Sequence, residues 1–114
     1  MSCWRLTVRH GPRVKRETLD SLDEAIAEME RRTEEIRAGG PLDEVNMFRS
    51  YGPERRVAAR LELTGPGHVR RPEAGIDVMG DGRLVPYRGA IFKRELDPGR
   101  GGSAYDAVRA ALTS

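Results

Sequence analysis

The sequence predicts an α+β fold in two layers, a largely antiparallel sheet covered on one face by one long helix and one short C-terminal helix. Three observations predict it. Trp4, Leu6 and Val8 alternate with Arg5, Thr7 and Arg9; Ser21 opens a long amphipathic stretch with a capping signal; and an Asp-Gly pair at 81–82 separates two apolar runs. The element order that follows is β-β-α-β-β-β-β-α, over one domain spanning residues 1–114.

The period-two alternation from Trp4 to Arg9 is that of a strand with one buried face. His10-Gly11-Pro12 breaks the run, and Val14 to Leu19 forms a mostly polar second strand. This is the outer arm of a hairpin, whose charges keep an exposed edge soluble.

Ser21-Leu22-Asp23-Glu24 has the S-x-x-E form in which serine and glutamate satisfy free backbone N–H groups at a helix start. Leu22, Ala25, Ile26, Met29 and Ile36 recur at helical spacing, while Glu28 with Arg32 and Arg31 with Glu35 can pair on the solvated side. Gly39-Gly40-Pro41 ends the helix, glycine serving as a left-handed cap and proline being unable to continue. The helix spans roughly residues 21–38.

Val45, Met47 and Tyr51 alternate with Asn46, Phe48 and Ser50 up to the turn Gly52-Pro53-Glu54, and Val57, Ala59, Leu61 and Leu63 alternate beyond it. These runs predict a second hairpin. A helix over 53–64, with proline in its first turn and Gly65 as cap, is the alternative; it would point Ala59 and Leu63 away from Val57 and Leu61, so strand is preferred.

Ile76 and Val78 precede Gly80-Asp81-Gly82, a short-hairpin signal because both central residues tolerate positive φ. Leu84 to Leu96 resumes the sheet, with Val85, Tyr87 and Ile91 on one face and Pro86 and Gly89 marking an edge, bulge or bend. After the loop Asp97–Gly102, Ser103 caps a short helix that turns Tyr105, Val108, Ala111 and Leu112 inward.

The net charge of +2 conceals a segregation. Residues 1–16 carry Arg5, Arg9, Arg13, Lys15 and Arg16 with no acid, whereas residues 17–45 carry ten acids against three arginines. Eighteen of the twenty bases are arginine, the residue suited to bidentate recognition of carboxylate or phosphate. Arg5, Arg9 and Arg16 fall on one face of the hairpin, and such ribbons can contact nucleic acid. The acidic helix nearby and the modest net charge count against that use.

Catalytic signals are missing. His10, His68 and Cys3 are far apart and match no metal-binding spacing. Ser103 in Gly-Gly-Ser-Ala-Tyr lacks the last glycine of a nucleophile elbow. Asp77, Asp81 and Glu62 occupy outward or turn positions rather than apolar pockets. The eleven residues Gly65 to Gly75 hold three glycines, His68, Arg70 and Arg71, yet a strand rather than a helix follows. Pro66 and Pro72 also remove N–H groups that a phosphate cradle would use. The segment reads as a connector, with Arg70 and Arg71 as solvated charges or contacts for an anionic partner.

The sequence therefore predicts a small non-catalytic interaction or regulatory module, without cofactor or metal, that binds another protein or forms a homodimer. A nucleic-acid-binding accessory protein using the basic hairpin is the alternative. An enzyme or small-ligand binder built around Tyr87, His68 or Asp77 is third. No run near the N-terminus is long and apolar enough for a signal peptide or a membrane span, which predicts a cytoplasmic location. Cys3, with no partner for an internal disulfide, is expected to be a small buried hydrophobe.

Overall fold

The structure, a computed structural model, describes residues 3–39, 56–67, 71–89 and 93–113. Among the described residues eight elements follow in the expected order: β1 (Trp4–His10), β2 (Arg13–Leu19), α1 (Leu22–Ala38), β3 (Val57–Thr64), β4 (Glu73–Met79), β5 (Leu84–Arg88), β6 (Arg94–Glu95) and α2 (Ala104–Thr113). The six strands form one sheet in the order β2-β1-β3-β4-β5-β6. Every neighbouring pair is antiparallel.

Several local expectations meet their residues. Gly11 takes φ 61 at the first central position of the two-residue β1–β2 turn, and Pro12 supplies the fixed φ at the second. At the start of α1 the Glu24 N–H donates to Ser21 Oγ at 3.1 Å, and the Glu24 carboxylate accepts from the Asp20 N–H at 3.2 Å. The α2 cap is fully reciprocal: the Asp106 N–H donates to Ser103 Oγ and the Ser103 N–H to the Asp106 carboxylate, both at 3.1 Å. Residues 57–64 are strand, because Ala59, Leu61 and Leu63 then share one buried face.

Other expectations are corrected. Gly39 closes α1 at φ −79, donating its N–H to the Ile36 carbonyl, so Gly39 itself is not left-handed, and Gly40 lies outside the described residues. In the β4–β5 turn only Gly82 takes positive φ, at 91. Asp81 instead accepts from the Arg83 N–H at 2.9 Å, and the Gly82 N–H returns to the Met79 carbonyl, which makes a four-residue connection. The stretch 84–96 holds two strands, β5 and β6, joined by pairing of Tyr87 with Glu95 and Arg88 with Arg94. The expected strand at Val45–Tyr51 lies outside the described residues, as do Ile91 and His68.

Both helices pack on the same face of the sheet. Leu6, Leu61, Leu63, Ile76 and Val78 from the strands meet Met29 from α1 and Val108 from α2, all fully buried. Burying side chains of this size contributes about 1.5–3 kcal/mol each. The stripe of α1 gains a member that hydrophobicity alone does not predict: Thr33 is fully buried, its hydroxyl donating to the Met29 carbonyl at 2.7 Å. Val57, by contrast, is exposed, because the β3–β4 register shifts between Val57 and Ala59.

Candidate anion-binding groove on the open face of the sheet

No described helix covers the opposite face. Register defines its rungs: Arg16 pairs with Thr7, Thr7 with Glu62, Glu62 with Gly75 and Gly75 with Tyr87, while Arg5 pairs with Thr64 and Thr64 with Glu73. A third rung runs through Arg9, Arg60, Asp77 and Val85. Directly opposed residues of an antiparallel ladder project to the same side. Arg5, Arg9 and Arg16 therefore share the open face with Arg60, Glu62, Glu73, Asp77 and Tyr87.

The centre of this face is closed. Tyr87 is 3% exposed and lies over Gly75, with the Arg60 guanidinium 5.5 Å and the Lys93 ammonium 5.7 Å from its ring centroid. Arg60 also grips Asp77 with two hydrogen bonds, Nε to Oδ1 at 2.6 Å and Nη2 to Oδ2 at 3.0 Å. Asp77 thus sits in a bidentate ion pair, an arrangement that accounts for its place on this face without acid–base chemistry. Burial first, then the charges of Glu62 and Asp77, push the Tyr87 phenol well above its ordinary range.

Towards the β2 edge the face opens into a groove of about 470 Å³. Cys3, Arg5 and Thr7 come to it from the β1 side, Arg16 from β2, Thr64 from β3, Gly65, Pro66, Gly67 and Arg71 from the β3–β4 connector, and Glu73 from β4. The described ends of the connector are tied by a 2.8 Å bond from the Gly65 N–H to the Pro72 carbonyl. Arg71 donates its Nε to the Gly67 carbonyl at 2.7 Å, which anchors the guanidinium by one nitrogen.

Of the seven cations singled out in the sequence, Arg5, Arg16 and Arg71 meet in this groove, and Arg9 lies on the same face one rung beyond the Arg16–Thr7 pair. Arg13 and Lys15 alternate to the other side of the ribbon, Lys15 opposite Val8 and Arg13 opposite His10 at the turn. Arg70 lies outside the described residues. Sequence reading missed the groove's other walls, above all Glu73, because only the ladder shows that Glu73 of β4 and Arg5 of β1 flank Thr64 on one rung. Cys3 is corrected as well, being exposed at the groove rather than buried.

The charges are handled unequally across the molecule. Three of the acids of α1 are matched within the helix: Arg31 pairs with Glu28 and Glu35, Arg37 with Glu34, and Arg32 with Glu28 as well as with Glu17 of β2. Arg5, Arg9, Arg13, Lys15, Arg16 and Arg71 make no ion pair with any described acid. Among the described residues there is also no group of three or more His, Cys, Asp or Glu able to hold a metal ion, and no helix long and apolar enough to cross a membrane.

Fold and groove together define the class: an α+β protein whose open-faced antiparallel sheet carries an arginine-lined groove at one edge. Comparison with protein-family models, with curated proteins and with solved structures finds no match.

Proposed function

We propose that this protein is a small non-catalytic interaction module that docks a polyanionic partner, a nucleic acid, on the basic half of its open sheet face. The observation that carries the reading is the contrast in charge pairing. Asp23, Glu28, Glu34 and Glu35 of α1 each pair with an arginine of the helices, while the hairpin arginines are left facing outward without acidic partners among the described residues. Unpaired arginines spaced along a ribbon contact phosphates in a largely sequence-independent way. The proposal places the module in the cytoplasm, which cell fractionation tests.

Titration of labelled mixed-sequence duplex DNA and single-stranded RNA by fluorescence anisotropy, from low to physiological salt, tests it. Saturable binding should weaken with salt, with a log–log slope of about 2–3 if three arginines each engage a phosphate. Absence of binding at low salt and tens of micromolar protein would overturn the reading.

A second reading, a protein partner or a second copy of the chain, rests on a separate observation. β2 is an edge strand of seven residues, and Val14 on it is 42% exposed. Such an edge can add a strand from another chain. Light scattering that reports a monomer throughout the micromolar range would remove the homodimer.

A further inference from the structure

We infer that the groove between Arg5, Arg16 and Arg71 is a phosphate-monoester site, an inference that rests on the proposed binding of nucleic acid and narrows it to a strand carrying a terminal phosphate. The first argument is charge. Among the described residues three guanidinium groups and one carboxylate, that of Glu73, line the groove, a surplus that matches the roughly −1.5 to −2 of a phosphate monoester at neutral pH better than the single charge of an internal diester.

The second argument is repulsion. Arg5 and Arg16 are diagonal neighbours across the β1–β2 ladder, about 7–8 Å apart at the backbone, and Arg71 comes to the same space from the connector. Like charges gathered this closely oppose one another, and a dianion between them removes that cost. The third argument is preorganisation. The Nε bond of Arg71 to Gly67 fixes the plane of a guanidinium whose two terminal nitrogens carry no bond to a described residue, the fork that a phosphate accepts in a bidentate manner. Thr7 and Thr64 add hydroxyl donors on the floor.

The test uses one short single-stranded DNA, labelled at its 3′ end and prepared with a 5′-phosphate or a 5′-hydroxyl, together with phenyl phosphate as a small monoester. Cys3 lines the groove and is exposed, so its alkylation by neutral iodoacetamide, followed by mass spectrometry, reports occupancy directly. The 5′-phosphorylated strand should bind at least about tenfold tighter. Arg71→Gln and Arg16→Gln should each erode that preference without lowering the melting temperature.

Equal affinity for the two strands overturns the monoester site and leaves the nucleic-acid reading standing. If neither strand binds but phenyl phosphate shields Cys3 in an Arg71-dependent way, the site stands with a free phosphorylated small molecule as its source, and the nucleic-acid reading falls. Failure of both strands and of phenyl phosphate overturns both.

Discussion

Tyr87 lies across the bare backbone of Gly75, its cross-strand partner in the β4–β5 ladder. A Cβ placed on Gly75 would come within 2.7 Å of the Tyr87 hydroxyl oxygen and would also strike the Leu61 carbonyl oxygen. The strand has glycine there because the rigid Leu61 carbonyl, the nearest obstacle, and the Tyr87 ring together leave no room for a Cβ. Gly75→Ala is therefore expected to cost about 1–3 kcal/mol, read as a lower midpoint in urea.

The same tyrosine carries a liability. Its hydroxyl is buried without a hydrogen-bond partner among the described residues, a condition that costs about 1–3 kcal/mol. Tyr87→Phe should accordingly leave the melting temperature unchanged or raise it. A marked fall would mean that the hydroxyl has a stabilising partner.

Alkaline stability tests the same environment. The folded phenol titrates above its ordinary value of 10.0, chiefly through burial. A group whose pKa is raised by folding contributes stability that is complete below the unfolded value and is lost as pH rises beyond it. Denaturation midpoints should thus decline above about pH 10, and Tyr87→Phe should flatten that decline.

Asp77 and Arg60 form the best-defined ion pair of the open face, with side-chain exposures of 14% and 28%. Asp77→Asn removes the charge and the double acceptor while leaving Arg60 beside the Tyr87 ring, at a cost of about 1–2 kcal/mol. Combining it with Arg60→Gln should add less than the two single effects summed.

Acid should act through α1. Hydrogen bonding from Arg31, the largest cause, holds the Glu28 carboxylate at about 2 against an ordinary 4.5. Folding lowers this pKa, so the contribution is present above pH 4.5 and is lost as pH falls towards 2. Thermal melts across that window should show a slope that Glu28→Gln reduces.

The basic ribbon gives the functional prediction. Replacing Arg5, Arg9 and Arg16 together by glutamine should weaken nucleic-acid binding by at least about tenfold and shrink its salt slope, since the proposed function gives each of them a phosphate contact. All three are exposed and unpaired among the described residues, so the melting temperature should barely move.

What the sequence revealed follows the range of the forces involved. The Ser21 and Ser103 caps, the hairpin at Gly11 and the alternation through Leu61 and Leu63 depend on residues a few positions apart, and they were legible. Thr33 was not, because a threonine joins an apolar stripe only once its hydroxyl bonds back to Met29. The groove was half legible: alternation placed Arg5, Arg9 and Arg16 on one face and separated Arg13 and Lys15 only when the register was known. Arg71 and Glu73 enter it through the β1–β3 and β3–β4 pairings, which no local pattern encodes.

The seam between β1 and β3 also governs how the chain assembles. β1, β2 and α1 form a contiguous unit, and β3, β4 and β5 form a meander whose pairings are local; among the described strands the register from Arg5–Thr64 to His10–Ala59 is the one ladder that joins them, beneath the packing of α1 on β3. Closing that seam spans roughly fifty residues of chain, an entropic cost met before any of its ladder bonds are made. Pairings within each half are local and the zipping along Leu6–Leu63 and Val8–Leu61 is not, so that zipping is the step expected to set the pace of folding, which stopped-flow refolding of Leu63→Ala would read as a slower refolding rate.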